Sequence, residues 1–262
     1  MGMIAPGFIG VEGQLWIWLI AMIRPGAAFL AAPIFGARAT PVQLRLILSL
    51  AIGMAAMNSI VFKMPEGGVA SFAGIALVMG EVLAGLAMGF ALQIGYASAL
   101  VAGETIANAM GLGFAAMVDP QSGQSTQVVG QFLGILATFI LLGMDGHLLL
   151  ASYVVQSYKA LPPGGPMLSN DAIYGLVIFG GSLLGAGLTI ALPVAFALIM
   201  IQLVMGMLAR TAPSLNLFAV GIPVALLAGL LLLAMTAPIM GQGIADALRQ
   251  GLDEAQTIAG GQ

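Results

Sequence analysis

The chain has 262 residues, of which 60% are hydrophobic and only 6% charged, and its formal net charge is −3. A soluble domain carries about 25% charged residues, so this chain cannot coat a water-facing surface and reads as an all-α, multi-helix integral membrane protein. It has no cysteine, which excludes a disulfide framework, a thiolate nucleophile and a cysteine metal site, and its few scattered charges form no basic patch for nucleic acid.

The first stretch, "MGMIAPGFIGVEG", lacks a positively charged start, and the first apolar run continues past Arg24, so mature sequence is expected rather than a cleaved signal. Six apolar segments follow, each long enough to cross a bilayer at about 20 residues. They are Gly13–Ile34, Leu44–Phe62, Phe72–Leu100, Val128–Tyr158, Ile173–Leu208 and Leu217–Met240. Barrel strands need only about 10 alternating residues, so these continuous runs predict helices. Pro25, Pro193 and Pro223 fall inside the first, fifth and sixth segments, where each removes a backbone hydrogen bond and predicts a bend. As a straight helix, Ile173–Leu208 would reach about 54 Å, well beyond a hydrocarbon core of about 30 Å. Arg38, Arg45 and Arg210 fall on one side of a six-span arrangement and Lys63, Lys159 and Arg249 on the other, so the positive-inside rule returns a tie.

Three glycine pairs, Gly85/Gly89, Gly130/Gly134 and Gly181/Gly185, stand four residues apart on these segments. Small residues at that spacing let helix backbones approach closely, within the chain or against partners. After the last span, "GQGIADALRQGLDEAQTIAGGQ" repeats apolar residues every four positions at Ile244, Leu248 and Leu252, with Asp246, Arg249, Asp253 and Glu254 elsewhere around the helix. This predicts an amphipathic extension of the final helix.

Polar groups at membrane depth are few: Arg24, Glu81, Gln93, Glu104, Asp145, His147 and Gln202. Ionisable residues in a bilayer are costly and mark function by default, yet these form no catalytic constellation, nucleotide loop, cofactor site or metal-ligand set. Asp145 and His147 are two apart, which puts them on different helix faces unless Gly146 breaks the helix. Glu81 has an arginine, a partner or a proton as its possible companions.

Between the third and fourth segments lies "MGLGFAAMVDPQSG". Asp119-Pro120 is a turn starter and Gly123 closes the turn. Gly111 and Gly113 loosen the backbone around Leu112, Phe114 and Met117, and methionine adapts to irregular gaps. From Met110 to Gly123 the pattern is a turn-anchored apolar arm, which could plug a pore by excluding water or pack as a re-entrant loop.

"GLGFAAMVDPQSGQSTQVVGQF" resembles the central signature of the FliR family of flagellar type III export-gate subunits. "LLGMDGHLLL" (Leu141–Leu150) and "ARTAPSLNLFAVGIPVALLAGLLLL" (Ala209–Leu233) continue the resemblance in the same order. It covers nearly the whole chain. The resemblance implies a non-enzymatic subunit of the channel entry for unfolded flagellar proteins, in the bacterial inner membrane at the flagellar basal body. FliP, FliQ, FlhA and FlhB are the implied partners, together with the bilayer and the translocating proteins. It also implies a FliP-like part over residues 1–165 and a FliQ-like hairpin over 170–262, and a plugging role for Met110–Gly123. An independent proton- or ion-coupled transporter using Glu81, Asp145 and His147 is the alternative.

Overall fold

The computed structural model describes residues 11–57, 68–113, 128–165, 167–211 and 217–261. Among these residues all regular structure is helical: α1 (Val11–Ala21), α2 (Ile23–Ala31), α3 (Val42–Met57), α4 (Phe72–Ala109), α5 (Val128–Gly143), α6 (Gly146–Ala160), α7 (Asn170–Thr211) and α8 (Leu217–Ala259). Two of them open on a serine cap. The Ser71 hydroxyl accepts the Gly74 N–H at 3.1 Å and opens α4, and the Ser169 hydroxyl accepts the Ala172 N–H at 3.0 Å and opens α7. Serine is favoured at this position because its oxygen satisfies one of the orphan first-turn N–H groups. Asp171 in the first turn of α7 adds a favourable charge at the positive helix end.

Pro25 explains the break between α1 and α2. It has no N–H to donate to the carbonyl of Ala21, so the ladder lacks a bond there, while Met22 keeps its own i→i−4 bonds and near-helical angles of φ −82° and ψ −13°. The two pieces therefore form one apolar span, Gly13–Ala31. In contrast, α7 continues through Pro193, and α8 through Pro223 and Pro238.

Among the described residues, four helices are long and apolar enough to cross a membrane: Gly13–Ala31, Phe72–Ala109, Asn170–Thr211 and Val220–Ala259. The fourth expected segment is two helices, α5 and α6, with a 63° turn between them, and the pair makes a fifth span if counted as one. Asp145 sits at that break in the left-handed region, with φ +55°. The second expected segment appears as a shorter apolar helix, Val42–Ala56, and its continuation to Phe62 lies outside the described residues, as does Lys63. Among the described residues the count is thus four or five spans by length and composition, and the six suggested by the apolar runs are not all found there. A run of apolar residues does not reveal a turn at an aspartate.

The chain divides into two compact units: Met1–Gln93 with Asp145–Gly180 and Gln250–Gln262, and Ile94–Met144 with Gly181–Arg249. In the first, α2 lies against α4, where a Cβ at Gly85 would collide with the Arg24 carbonyl and one at Gly89 with the Ala28 carbonyl. Ile20, Phe29, Met88, Leu150 and Tyr158 fill its interior. In the second, a Cβ at Gly103 would strike the Cα of Gly130, so α4 and α5 touch backbone to backbone. A Cβ at Gly134 would approach the Leu100 side chain at 2.8 Å, and the Tyr96 hydroxyl donates to the Gly134 carbonyl at 3.1 Å. Gly181 and Gly185 face open space, with nothing among the described residues within 4 Å of an added Cβ.

The tail is helical to Ala259. Ile244, Leu248 and Leu252 are 0–3% exposed, so its apolar stripe is covered by this chain itself, while Asp246 and Arg249 pair on the surface at 2.8 Å.

Candidate functional site: the root of the apolar loop and a buried ion pair

The end of α4 leads into the apolar arm. Helix ends leave their last carbonyls without intrahelical partners, and here three are accounted for. The Gly111 N–H donates to the Asn108 carbonyl at 3.0 Å, and the Leu112 N–H reaches back to the Ala107 carbonyl at 3.1 Å. This pair of bonds is the Schellman arrangement, and it requires a left-handed residue after the helix. Gly111 supplies it, with φ +80°. Gly111 therefore terminates the helix in a defined conformation rather than loosening it. The third carbonyl, that of Ala109, accepts a hydrogen bond from the Gln202 side-chain amide of α7 at 2.7 Å. Met110, 1% exposed, lies over Gly229 of α8, where a Cβ would come within 2.6–2.9 Å of the methionine's Cγ, Sδ and Cε. At Gly113 a Cβ would sit 3.3 Å from the Asn108 amide oxygen, so the turn stays close to the helix end. Phe114, Met117, Asp119, Pro120 and Gly123 lie outside the described residues.

The second cluster answers what accompanies Glu81. Its carboxylate takes a forked pair from Arg24, Nε to Oε2 at 2.9 Å and Nη2 to Oε1 at 2.6 Å. Arg24 also donates through Nη1 to the Ser157 hydroxyl at 2.9 Å and through Nη2 to the Leu161 carbonyl at 2.7 Å. Its guanidinium lies 4.0 Å from the ring centroid of Tyr158. Arg24 and Glu81 are each 2% exposed, and Ser157 and Tyr158 are fully buried. A buried charge pair is tolerated only when the remaining donors are satisfied, and this geometry meets that condition through α6. The Tyr158 hydroxyl donates at 3.0 Å to the Ala21 carbonyl, the acceptor that Pro25 leaves without its helical donor.

Asp145 and His147 stay apart. Although the helix does break beside Gly146, no hydrogen bond joins Asp145 to His147. The Asp145 side chain makes no cap bond, and His147 Nδ1 is buried without a hydrogen-bond partner. Neither cluster has the nucleophile–base geometry of a catalytic centre; one is an electrostatic staple, the other a mechanical anchor. Sequence reasoning marked Arg24 and Glu81 but missed Ser157, Tyr158 and Gly229. An arginine and a carboxylate alone in separate apolar helices are the one signal that could have paired the charges.

The family model described as bacterial export proteins, family 1, matches residues 15–251. The flagellar biosynthetic protein FliR of Escherichia coli is 34% identical over 227 residues, covering 87% of this chain and 85% of that protein. The chain belongs to the FliR family of bacterial export proteins. FliR of Caulobacter vibrioides is 29% identical over 242 residues, covering 92% of this chain and 96% of its relative, and FliR of Bacillus subtilis is 27% identical over 209 residues. This FliR-family chain, with its four or five apolar spans, is a multi-pass protein of the bacterial inner membrane. Family membership does not favour an independent coupled transporter.

Proposed function

We propose that this chain forms part of the inner-membrane channel entry through which unfolded flagellar proteins leave the cell, and that Met110–Gly123 holds the resting channel shut. Family membership makes it a subunit of the flagellar export apparatus, embedded in the membrane among other components. FliP and FliQ are its partners in the gate, with FlhB and FlhA alongside. Residues 1–165 act as the FliP-like part and 170–262 as the FliQ-like hairpin, a division that rests on the family resemblance.

The observation that carries the plug reading is the end of α4. A 38-residue membrane helix is stopped by a left-handed glycine cap at the start of a segment carrying Leu112, Phe114 and Met117. Apolar bulk of this kind resists wetting by water and ions. The gate has no chemistry of its own to perform: it provides a passage and a closure, and the transported chain is driven from elsewhere.

Two experiments test this. Co-expression with FliP- and FliQ-type proteins, followed by native mass spectrometry, yields one complex containing all three; a monodisperse monomer that conducts an ion on its own overturns the gate reading. Deleting Leu112–Met117 leaves that complex intact and makes cells leaky to small ions. If the deletion assembles and leaks no more than the parent, the arm is packing and not a plug.

A further inference from the structure

We infer that Gln202 is a positioning residue which, with the notch at Gly229, fixes the direction in which the chain leaves α4 at Leu112. The inference goes beyond the plug reading of Met110–Gly123, on which its functional consequence rests.

The observations converge on four consecutive residues. The cap at Gly111 and Leu112 uses only α4's own carbonyls. It sets the local turn but cannot hold α4's end against anything else. Two contacts do that. Gln202 belongs to α7, 93 residues further along the chain, and its side-chain amide reaches the Ala109 carbonyl at 2.7 Å. That carbonyl belongs to the last residue of α4, where no following helical N–H is available to it. Met110 is the next residue, 1% exposed, and its side chain occupies the space over Gly229 that a Cβ there would enter. Hydrogen bond and notch act on adjacent residues from two different helices, immediately before the left-handed Gly111. A shift of α7 or α8 would therefore be passed to the chain at Leu112.

The chemistry of Gln202 makes the role testable, because the contact needs a donor. Gln202→Glu keeps size and shape but presents an acceptor to the Ala109 carbonyl, and Gln202→Leu removes the polar group. Gln202→Lys keeps an N–H donor of similar reach. The chain has no cysteine, so Leu112→Cys provides a single thiol just past the cap. In the complete gate, co-expressed with its partners in membranes, labelling of Leu112→Cys by a membrane-impermeant maleimide reports the position of the root.

We expect Gln202→Glu and Gln202→Leu to change the labelling rate by about threefold to tenfold, the range that one hydrogen bond can shift a local equilibrium. Gln202→Lys labels at the parental rate. Gly229→Ala, which pushes on Met110, changes the rate independently of Gln202. If labelling follows side-chain size instead, with Glu parental and Lys perturbed, or if none of the four variants changes it, the positioning role is wrong. Ion leak separates this from the plug reading. Altered labelling without leak in Gln202→Leu, in a gate that also stays tight when Leu112–Met117 is deleted, keeps the anchor and removes the plug. A deletion that leaks while Gln202→Leu neither leaks nor alters labelling keeps the plug and removes the anchor.

Discussion

At the scale of single residues, the structure gives Tyr158 two duties: it faces the Arg24 guanidinium and it donates to the Ala21 carbonyl freed by Pro25. Tyr158→Phe keeps the ring and loses the donor, leaving a buried acceptor unpaired at a cost of about 1–3 kcal/mol. Tyr96→Phe is the control. Its acceptor, the Gly134 carbonyl, also receives the Thr138 hydroxyl at 2.9 Å, so it should cost less. The thermal midpoints of the two detergent-solubilised variants check this, and equal shifts would remove the special role of the Pro25 break. The ion pair makes a similar claim. Glu81→Leu strands the Arg24 charge and should cost about 3–5 kcal/mol, whereas Arg24→Met with Glu81→Leu should recover much of the loss, because the desolvation penalty disappears with the charges. A double variant no more stable than Glu81→Leu would mean that the Ser157 and Leu161 contacts matter more than the charge balance.

At the scale of helices, glycine spacing has two different outcomes in this chain. Gly85 and Gly89 let the backbone of α2 lie directly on α4, and a Cβ at either position meets a carbonyl of α2 that cannot rotate away. Gly85→Val should therefore sharply lower the amount of folded protein recovered from membranes. Gly181→Val meets nothing among the described residues and should leave that amount unchanged. If the α7 face instead meets another subunit, native mass spectrometry of the co-expressed gate will show assembly lost while the chain itself persists. The sides of these helices differ in the same sense: 44% of the most apolar stretch of α4 is buried within the chain, against 22% for α7 and 11% for α8. The last two helices leave most of their apolar surface for lipid or other chains.

At the scale of the whole molecule, the tail is part of the fold. Its amphipathic pattern suggests a docking stripe, but Ile244, Leu248 and Leu252 are buried by this chain. Neighbouring small residues explain how: α4 approaches the tail so closely that a Cβ at Gly95 would strike the Ala247 carbonyl, and one at Gly251 would stand 2.9 Å from the Ala91 carbonyl. Truncation after Gly241 should thus reduce the folded protein itself, seen as a fall in steady-state level and in protease resistance. Parental level with only assembly weakened would return the tail to a partner-facing role.

The sequence by itself determined the membrane class, the helical state and most helix positions. Those follow from composition and run length, since a chain in lipid must satisfy its backbone internally. The serine caps at Ser71 and Ser169 and the left-handed cap at Gly111 act within one turn, yet they emerge only with the structure, and Gly111 reads in the sequence as a loosening residue. The resemblance of three separated motifs carried the family. What only the tertiary structure decided is which distant groups meet. Arg24 and Glu81 are 57 residues apart, Arg24 and Ser157 133, and Gln202 and Ala109 93. Periodicity places a side chain on a helix face but does not say which other helix that face will touch. For the same reason two glycine pairs with identical spacing, Gly85/Gly89 and Gly181/Gly185, look alike in the sequence, although one is filled by a backbone and the other is open. Helix formation is local and has one solution in an apolar medium. Helix pairing is a choice among many similar apolar surfaces, and here it is settled by a few buried polar contacts and by the places where a missing Cβ lets two backbones touch.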